Sequence, residues 1–493
     1  MARRIAYLLL DLALLLAAVR LVVELGLAFS QRVTAQFDIE WMEGATLMTA
    51  LRIVDGLPIY GEPAPDYIPF IYPPGYAAVV ATLSAIFPMG YTLGRAVSIV
   101  GMLFTAAAVV VGARQEGARW PFALASVGLL ASAYAEGGTF YDLIRVDALL
   151  LGLLAWSIVL VRRATLPAVI TGALLLTLAF LTKHNAAMLG VPMALWLWYD
   201  RNWRLAATFA MCSALPALGF LGAMELAGEH LFHWLVVVPS DHGIRPERAL
   251  PWYELKKGEL TVTGAQAEVW RALPLTSTLL LLWPGWLRAR GGLYWAGIAV
   301  TTLVMVSIMR GHVGGYINVL IPMFFVLSVL PAAQLGGLGD RPAARGLIGL
   351  VMLAQLFQGR DDLNRYVPGP RDRARAAAFV EDLRELPGPV LLPHAPYLAV
   401  LAGKPPSFAL ICLWDIDREG GPHQDSVRRI EALVTEGHWP TAILPDDKLG
   451  YGLKKGYERV ATLKNQPPPT RVGYRLALRE RWGARVEQRH EEP

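Results

Sequence analysis

Cysteine and charge are both scarce in this chain. Its 493 residues include two cysteines, Cys212 in an apolar run and Cys412 in the polar C-terminal part, which excludes a disulfide framework and a cysteine-based metal cluster. Only 17% of the residues are charged and 55% are apolar, with a mean hydropathy of +0.41, a balance that excludes an ordinary soluble domain. There is no Walker loop, no dinucleotide-binding glycine fingerprint, no HExxH and no Gly-x-Ser-x-Gly elbow. No internal repeat of fixed period is visible. The net charge of +5 is spread between oily segments and not gathered into a basic patch, so nucleic acid is not expected as a partner.

What is present is a succession of apolar runs. The first, "MARRIAYLLLDLALLLAAVRLVVELGLAFS", has a basic start but no Ala-x-Ala cleavage site, and it is long enough to span a bilayer, so it reads as a retained transmembrane helix. Ten more follow at roughly 92–113, 119–134, 147–161, 166–182, 185–199, 204–226, 273–287, 293–309, 316–333 and 344–358. The fold class expected is a polytopic α-helical membrane protein of about eleven spans.

Arginine pairs set the orientation. With a cytoplasmic N-terminus, every short inner loop carries two: Arg3 and Arg4, Arg114 and Arg119, Arg162 and Arg163, Arg201 and Arg204, Arg288 and Arg290, Arg341 and Arg345. That is the positive-inside pattern, and it places residues 30–91, residues 227–272 and everything after about 360 on the outer face. Residues 1–359 form the membrane domain. Residues 360–493 are more polar and richer in Pro and Gly, with helical patterns "RARAAAFVEDLREL" and "DSVRRIEALVTEG" and strand-like "PVLLP", "TAILPDD", "YERVATL" and "YRLALRER". These predict a small extracytoplasmic α/β domain with a frayed end, "GARVEQRHEEP". High Ala, Arg and Gly content fits a GC-rich bacterial source, hence the cytoplasmic (inner) membrane.

Chemistry is expected where polar residues meet outer helix ends. "FDIEWMEG" places Asp38, Glu40 and Glu43 within six positions, before an amphipathic helix that Asp38 is able to cap. Glu40 and Glu43 share a face of that helix. "YIPFIYPPGY" brings Tyr72 and a Pro–Pro turn to the headgroup layer. Arg95 in "GRAVS" calls for an anionic partner. "IRVDALLLGLL" carries Arg145 and Asp147, readable either as an internal ion pair or as part of a site. Lys183 and His184 of "LTKHNA" fill a tight outer turn, where a lysine snorkels or meets a phosphate. "MRGHVGGYINVLIP" adds Arg310, His312 and Asn318.

The order and side of these motifs resemble the C-type (GT-C) polytopic glycosyltransferases that use polyprenyl-phosphate sugars, the group containing protein O-mannosyltransferases and aminoarabinose lipid A transferases. The resemblance implies transfer of a sugar from a polyprenyl-phosphate donor to a lipid, glycan or protein acceptor, with inversion. It implies a general base among Asp38, Glu40 and Glu43, with Asp38 first as the leading carboxylate of the motif, Glu43 next and Glu40 third. It implies donor-phosphate binding by Lys183 with Arg95, Arg145 or Arg310, and substrate contacts from Tyr72, Asp147, His184, His312 and Asn318. Some relatives use a divalent cation, and Asp38 and Glu43 offer oxygen ligands for magnesium or manganese, although nothing in the residues requires one. A different class also accommodates many spans and intramembrane charge: a transporter or lipid-linked-saccharide flippase, its pathway lined by Asp11, Arg20, Glu24 and Asp147.

Overall fold

The computed structural model describes residues 2–256, 259–288, 291–338, 341–359, 361–444, 457–462 and 485–489. Helix α1 (Ala2–Arg32) leads into a segment holding α2 (Glu43–Val54) and α3 (Gly75–Leu83). The apolar helices α4 (Tyr91–Gln115), α5 (Trp120–Ser132), α6 (Val146–Val161), α7 (Leu166–Thr182), α8 (Gly190–Trp196) and α9 (Trp203–Leu226) follow. A second irregular stretch contains the short α10 (Val238–Ser240) and α11 (Pro246–Ala249), the antiparallel strands β1 (Trp252–Lys256) and β2 (Glu259–Thr263), and α12 (Ala265–Ala272). Helices α13 (Pro274–Leu282), α14 (Gly292–Gly311), α15 (Ile321–Leu338) and α16 (Pro342–Gln358) complete the bundle. Five of these, α1, α4, α9, α14 and α15 with its entry turn, are long and apolar enough to cross a bilayer. The fold is that of a multi-pass membrane protein.

Proline supplies several of the helix starts. Pro121, Pro167 and Pro342 sit at the first positions of α5, α7 and α16, where their missing N–H groups cost nothing. Lipid gives helices no hydrophobic reason to associate, so close approach through small residues matters. A Cβ on Gly101 of α4 would lie 2.6 Å from the Ala148 carbonyl oxygen of α6, and one on Gly152 would lie 2.6 Å from the Gly101 carbonyl oxygen. Ser157 of α6 likewise donates to the Gly172 carbonyl of α7 at 2.7 Å. Several charges at the end remote from the irregular segments are paired: Glu116 accepts from Arg162 at 2.8 Å and from the Trp295 indole at 3.0 Å, and Asp11 accepts from Arg345 at 2.7 Å. Arg20 and Glu24 pair with each other on α1.

The chain beyond the bundle contains α17 (Pro370–Glu385), β3 (Val390–Leu391), α18 (Pro396–Leu401), α19 (Leu410–Ile416), α20 (Gln424–Glu436), β4 (Thr441–Leu444), β5 (Tyr457–Thr462) and β6 (Arg485–Arg489). Its sheet runs β3-β4-β6-β5, with β3 and β4 parallel and the other pairs antiparallel. "PVLLP", "TAILPDD" and "YERVATL" match β3, β4 and β5, whereas "YRLALRER" lies outside the described residues. Residues 485–489 were expected to fray; they form β6 because both of its neighbours in the sheet satisfy its backbone. This part is packed onto the rest: Phe408, Ile411, Leu413 and Trp439 share one buried cluster with Met42, Tyr60 and Phe70 of the first segment and Trp234 of the second. Three irregular segments therefore make a single layer over the bundle.

One buried ion pair fixes the shape of the first segment. Arg95 of α4 grips Glu43 with two parallel bonds, Nε to Oε1 at 2.8 Å and Nη2 to Oε2 at 2.7 Å, and both residues are fully buried. The remaining guanidinium hydrogens go to the carbonyls of Arg32, Ala35 and Phe37. Glu43 also accepts from the amides of Ile39 at 2.6 Å and Ile144 at 3.0 Å. Burial opposes ionisation of Glu43, but the Arg95 charge overrides it and holds the carboxyl below its ordinary value.

Arg95→Met strands a buried charge and is expected to cost about 3–5 kcal/mol, read as loss of monodisperse protein in detergent; Arg95→Met with Glu43→Gln should recover part of the yield. Gly101→Ala should lower the thermal midpoint by about 2–5 °C as α4 and α6 are forced apart. Gly219→Ala on α9, where a Cβ meets nothing within 4 Å, should leave it unchanged.

Candidate functional site

The Pro73–Pro74 turn before α3, the end of α7 and the start of α6 converge beneath the irregular layer. A Cβ on Gly75 would lie 2.5 Å from the Leu181 carbonyl oxygen, so only glycine lets the Pro73–Pro74 turn sit against the end of α7. Tyr72 and Lys183 are thereby neighbours, the ammonium 5.8 Å from the ring centroid. Lys183 donates to Asp147 at 2.9 Å, and Asn318 donates to the other Asp147 oxygen at 2.9 Å. Arg145 lies 3.9 Å from Asp147 and donates to Glu40 at 3.2 Å. The result is an alternating row, Glu40, Arg145, Asp147, Lys183, drawn from three separate parts of the chain.

Glu40, Arg145 and Lys183 of this row line a cavity of about 660 Å³. Glu40, Tyr72, Arg145, Lys183, His184, His312 and Asn318 all line it, so seven of the residues expected from the sequence are brought to one place. Glu40 is the carboxylate with chemistry left over. Its Oε2 accepts from Arg145 and from the Met42 amide, while Oε1 is buried without a hydrogen-bond partner among the described residues. Burial pushes its carboxyl up to about 7 against the pull of Arg145.

Asp38, the carboxylate expected to act first, is not among the cavity-lining residues. Its Oδ1 accepts from the Gly44 amide at 2.5 Å, satisfying a free N–H of the first turn of α2, and its Oδ2 accepts from the Tyr91 hydroxyl at 2.6 Å. Burial pushes it up to about 7, opposed by the Tyr91 bond. Glu43 is consumed by Arg95. Neither presents free oxygens to a divalent cation, and no group of three or more His, Cys, Asp or Glu among the described residues is arranged to hold a metal, so the residues do not fit that expectation.

Two of the expected phosphate ligands are likewise engaged elsewhere. Arg95 is enclosed with Glu43, and Arg310 makes a bidentate pair with Glu268 at 2.7 and 2.8 Å and donates to the Gly315 carbonyl. Asp147 stands behind Lys183 and is not part of the cavity wall.

The cavity also carries groups that the motifs did not announce. Arg245 and Arg248, at and in α11, line it and make no ion pair among the described residues. Two arginines on the side that the positive-inside pattern leaves poor in them were the available signal. His242 lines it too, pushed down to about 4 chiefly by burial and therefore neutral near pH 7. Trp414 and Asp415 of α19 close the wall from the C-terminal part, and no local pattern marked them.

No protein-family model matches the chain, and no curated protein matches it significantly in sequence. Solved structures do. ArnT from Cupriavidus metallidurans, bound to undecaprenyl phosphate, superposes with a TM-score of 0.56 at 14% identity, covering 95% of this chain and 97% of its own. The apo form of that protein gives 0.54 over the same extents. AglB, an oligosaccharyltransferase from Archaeoglobus fulgidus in complex with an inhibitory peptide and a dolichol-phosphate, gives 0.50 at 12% identity over 76% of this chain and 58% of its own. The match to ArnT covers nearly the whole of both chains, and on that ground this chain shares the fold of ArnT.

Proposed function

We propose that the chain is an integral-membrane glycosyltransferase that moves a sugar from a polyprenyl-phosphate donor to an acceptor hydroxyl or amine on the outer face of the bacterial cytoplasmic membrane. The observation that carries this reading is the cavity itself: a carboxylate with an unpartnered oxygen, Glu40, shares it with Arg145, Lys183, Arg245 and Arg248. A base and a cationic seat within one enclosure suit transfer of a group away from a phosphate. ArnT and AglB, which share the fold, are described with undecaprenyl phosphate and dolichol-phosphate.

In this reading Glu40 is the base and replaces Asp38, because a base needs an oxygen that reaches the substrate. Glu40 Oε1 takes the proton of the acceptor as the acceptor atom bonds to the anomeric carbon. The bond from that carbon to the phosphate oxygen breaks, its electron pair leaves with the polyprenyl phosphate, and the anomeric configuration inverts. Lys183, Arg145, Arg245 and Arg248 bind the phosphate, while Tyr72, His184, His312 and Asn318 contact the substrates. Asp147 orients Lys183, and Arg95, Asp38 and Glu43 position Glu40. No step needs a metal.

The same proposal takes α1, α4 to α9 and α13 to α16 as eleven spans with the N-terminus in the cytoplasm, residues 1–359 as the membrane domain and 360–493 as an extracytoplasmic α/β domain over the cavity. A transport pathway is the weaker reading. Asp11 is paired with Arg345, Arg20 with Glu24, and none of them lines the cavity.

Membranes supplied with radiolabelled polyprenyl-phosphate sugars test the proposal. Glu40→Gln should reduce transfer by roughly 10²–10⁴-fold with normal expression, and full activity in that variant removes Glu40 as base. Asp38→Asn should lower thermal stability and leave most of the transfer rate. Since Glu40 must lose its proton to act and its carboxyl lies near 7, kcat/KM should rise as pH increases toward about 7 and level off above it. Alkaline phosphatase fused after Gln115 should be inactive and fused after Gly388 active; the reverse pattern inverts the topology.

A further inference from the structure

Asp415 is the one cavity carboxylate that the proposed chemistry does not use. It belongs to α19, in the part of the chain after the bundle, and only 5% of it is exposed. Its backbone carbonyl accepts from the His242 ring at 2.7 Å, which fixes the main chain, but its carboxyl has no hydrogen bond or ion pair among the described residues. Arg418, the nearby cation, acts on that carboxyl through its charge and makes no ion pair with it: its guanidinium lies 4.4 Å from the Trp414 ring and donates through Nη1 to the carbonyls of Trp414 and Asp417. A buried carboxyl without a partner is costly, and one facing a cavity finds its partner in the ligand.

Trp414, beside it on the wall, is held as firmly. Gly314 has φ of +96°, and a Cβ there would lie 3.2 Å from the indole, so a glycine lets that loop pack against the ring. An indole and a hydrogen-bond-accepting carboxyl side by side make an amphipathic wall. It matches a molecule with C–H faces and hydroxyl edges. Glu40 and Arg145, where the reaction is placed, line the same cavity.

We propose that Asp415 and Trp414 form the recognition wall for the transferred sugar: Asp415 accepts a hydrogen bond from a ring hydroxyl, and the indole covers a C–H face. The inference rests on the proposed transferase reading. It makes the C-terminal part a specificity element and not merely a cover. A site built to bind a hydroxyl rejects the analogue lacking it far more strongly than an apolar pocket rejects a missing methylene, so a single carboxyl is enough to choose among sugars.

The test uses the full-length protein in membranes with a panel of radiolabelled polyprenyl-phosphate hexoses and pentoses, including deoxy analogues of whichever donor is best. Undecaprenyl phosphate binding to the purified protein is measured in parallel. Asp415→Asn should lower kcat/KM for the best donor roughly 10- to 100-fold and erase the discrimination against one deoxy analogue, with undecaprenyl phosphate binding within twofold of wild type. Trp414→Phe, which keeps a smaller aromatic face, should lower kcat/KM for every donor roughly 3- to 10-fold and retain that discrimination. Unaltered donor preference in Asp415→Asn overturns the proposal. So does a variant in which release of sugar to water is normal and only transfer to the acceptor falls, since the hydroxyl recognised would then be the acceptor's. A wild-type protein that neither transfers sugar nor binds undecaprenyl phosphate sinks the transferase reading itself, an outcome separate from either of these.

Discussion

The Arg95–Glu43 pair is the constraint on which the loop end of the protein depends. Enclosing two charges is expensive unless geometry and hydrogen bonding repay the lost hydration, and here every guanidinium hydrogen-bonding direction and both carboxylate oxygens are used. The fork-to-fork match explains why an arginine is needed and a lysine would not serve. Its reach is larger than the pair. Arg95 holds the carbonyls at the end of α1 and along the segment after it, and Glu43 holds the Ile144 amide, so α1, α4 and the entry to α6 meet at one carboxylate. Arg145 follows Ile144 directly and meets Glu40 only because that turn is fixed. The proposed site inherits its geometry from a pair that never touches the cavity.

Three carboxylates within six residues have thus been given three different fates by their surroundings. Asp38 is satisfied by a hydroxyl and an amide, Glu43 by an arginine, and Glu40 is left half-satisfied at the cavity. Proximity contributes as well, since the charge on Glu43 opposes ionisation of both neighbours, adding to the burial that already raises them. Glu43, held below its ordinary value by Arg95, thus helps to keep the Glu40 carboxyl up near 7, where the proposed base exchanges its proton.

Much of this was legible from the sequence, and the boundary of legibility has a physical cause. Apolar length predicts the helices, and the arginine pairs, several of which cluster with Glu116 and Asp11 at the remote end, follow from charge alone. The gathering of Tyr72, Arg145, Lys183, His184, His312 and Asn318 was anticipated because all sit at helix ends on one side. What sequence withheld was pairing. Arg95 and Arg310 look like phosphate ligands until Glu43 and Glu268, 52 and 42 positions away, are found against them. Asp38 looks like the leading acid until its position over the first turn of α2 is seen. Side and residue type can be read locally, but the partner that decides whether a charge is structural or available is set by the fold. The same holds for α19: nothing near "LICLWDI" announces a cavity wall, because its place depends on packing against Met42, Tyr60 and Trp234.

The charge of the cavity bears directly on the leaving group. Arg145 and Lys183 are balanced by Glu40 and by Asp147 behind the wall, whereas Arg245 and Arg248 make no ion pair among the described residues and the wall holds one further carboxyl, Asp415, so one positive charge is left over when all three carboxyls are ionised. In the proposed reaction the donor is a phosphodiester with a single negative charge, and the departing polyprenyl phosphate gains a second as the bond to the sugar breaks. A surplus cation held in a low-dielectric enclosure stabilises that gain more than it stabilises the donor, and only an interaction that strengthens along the reaction accelerates it. Arg245 and Arg248 are suited to this role because they are not already neutralised by the row of paired charges opposite. Their attachment to the second irregular segment, and not to the bundle, means that the cationic seat is completed only when the layer over the bundle is in place. In the proposed reaction the layer is then part of the catalytic apparatus, since it supplies a charge that the leaving phosphate requires.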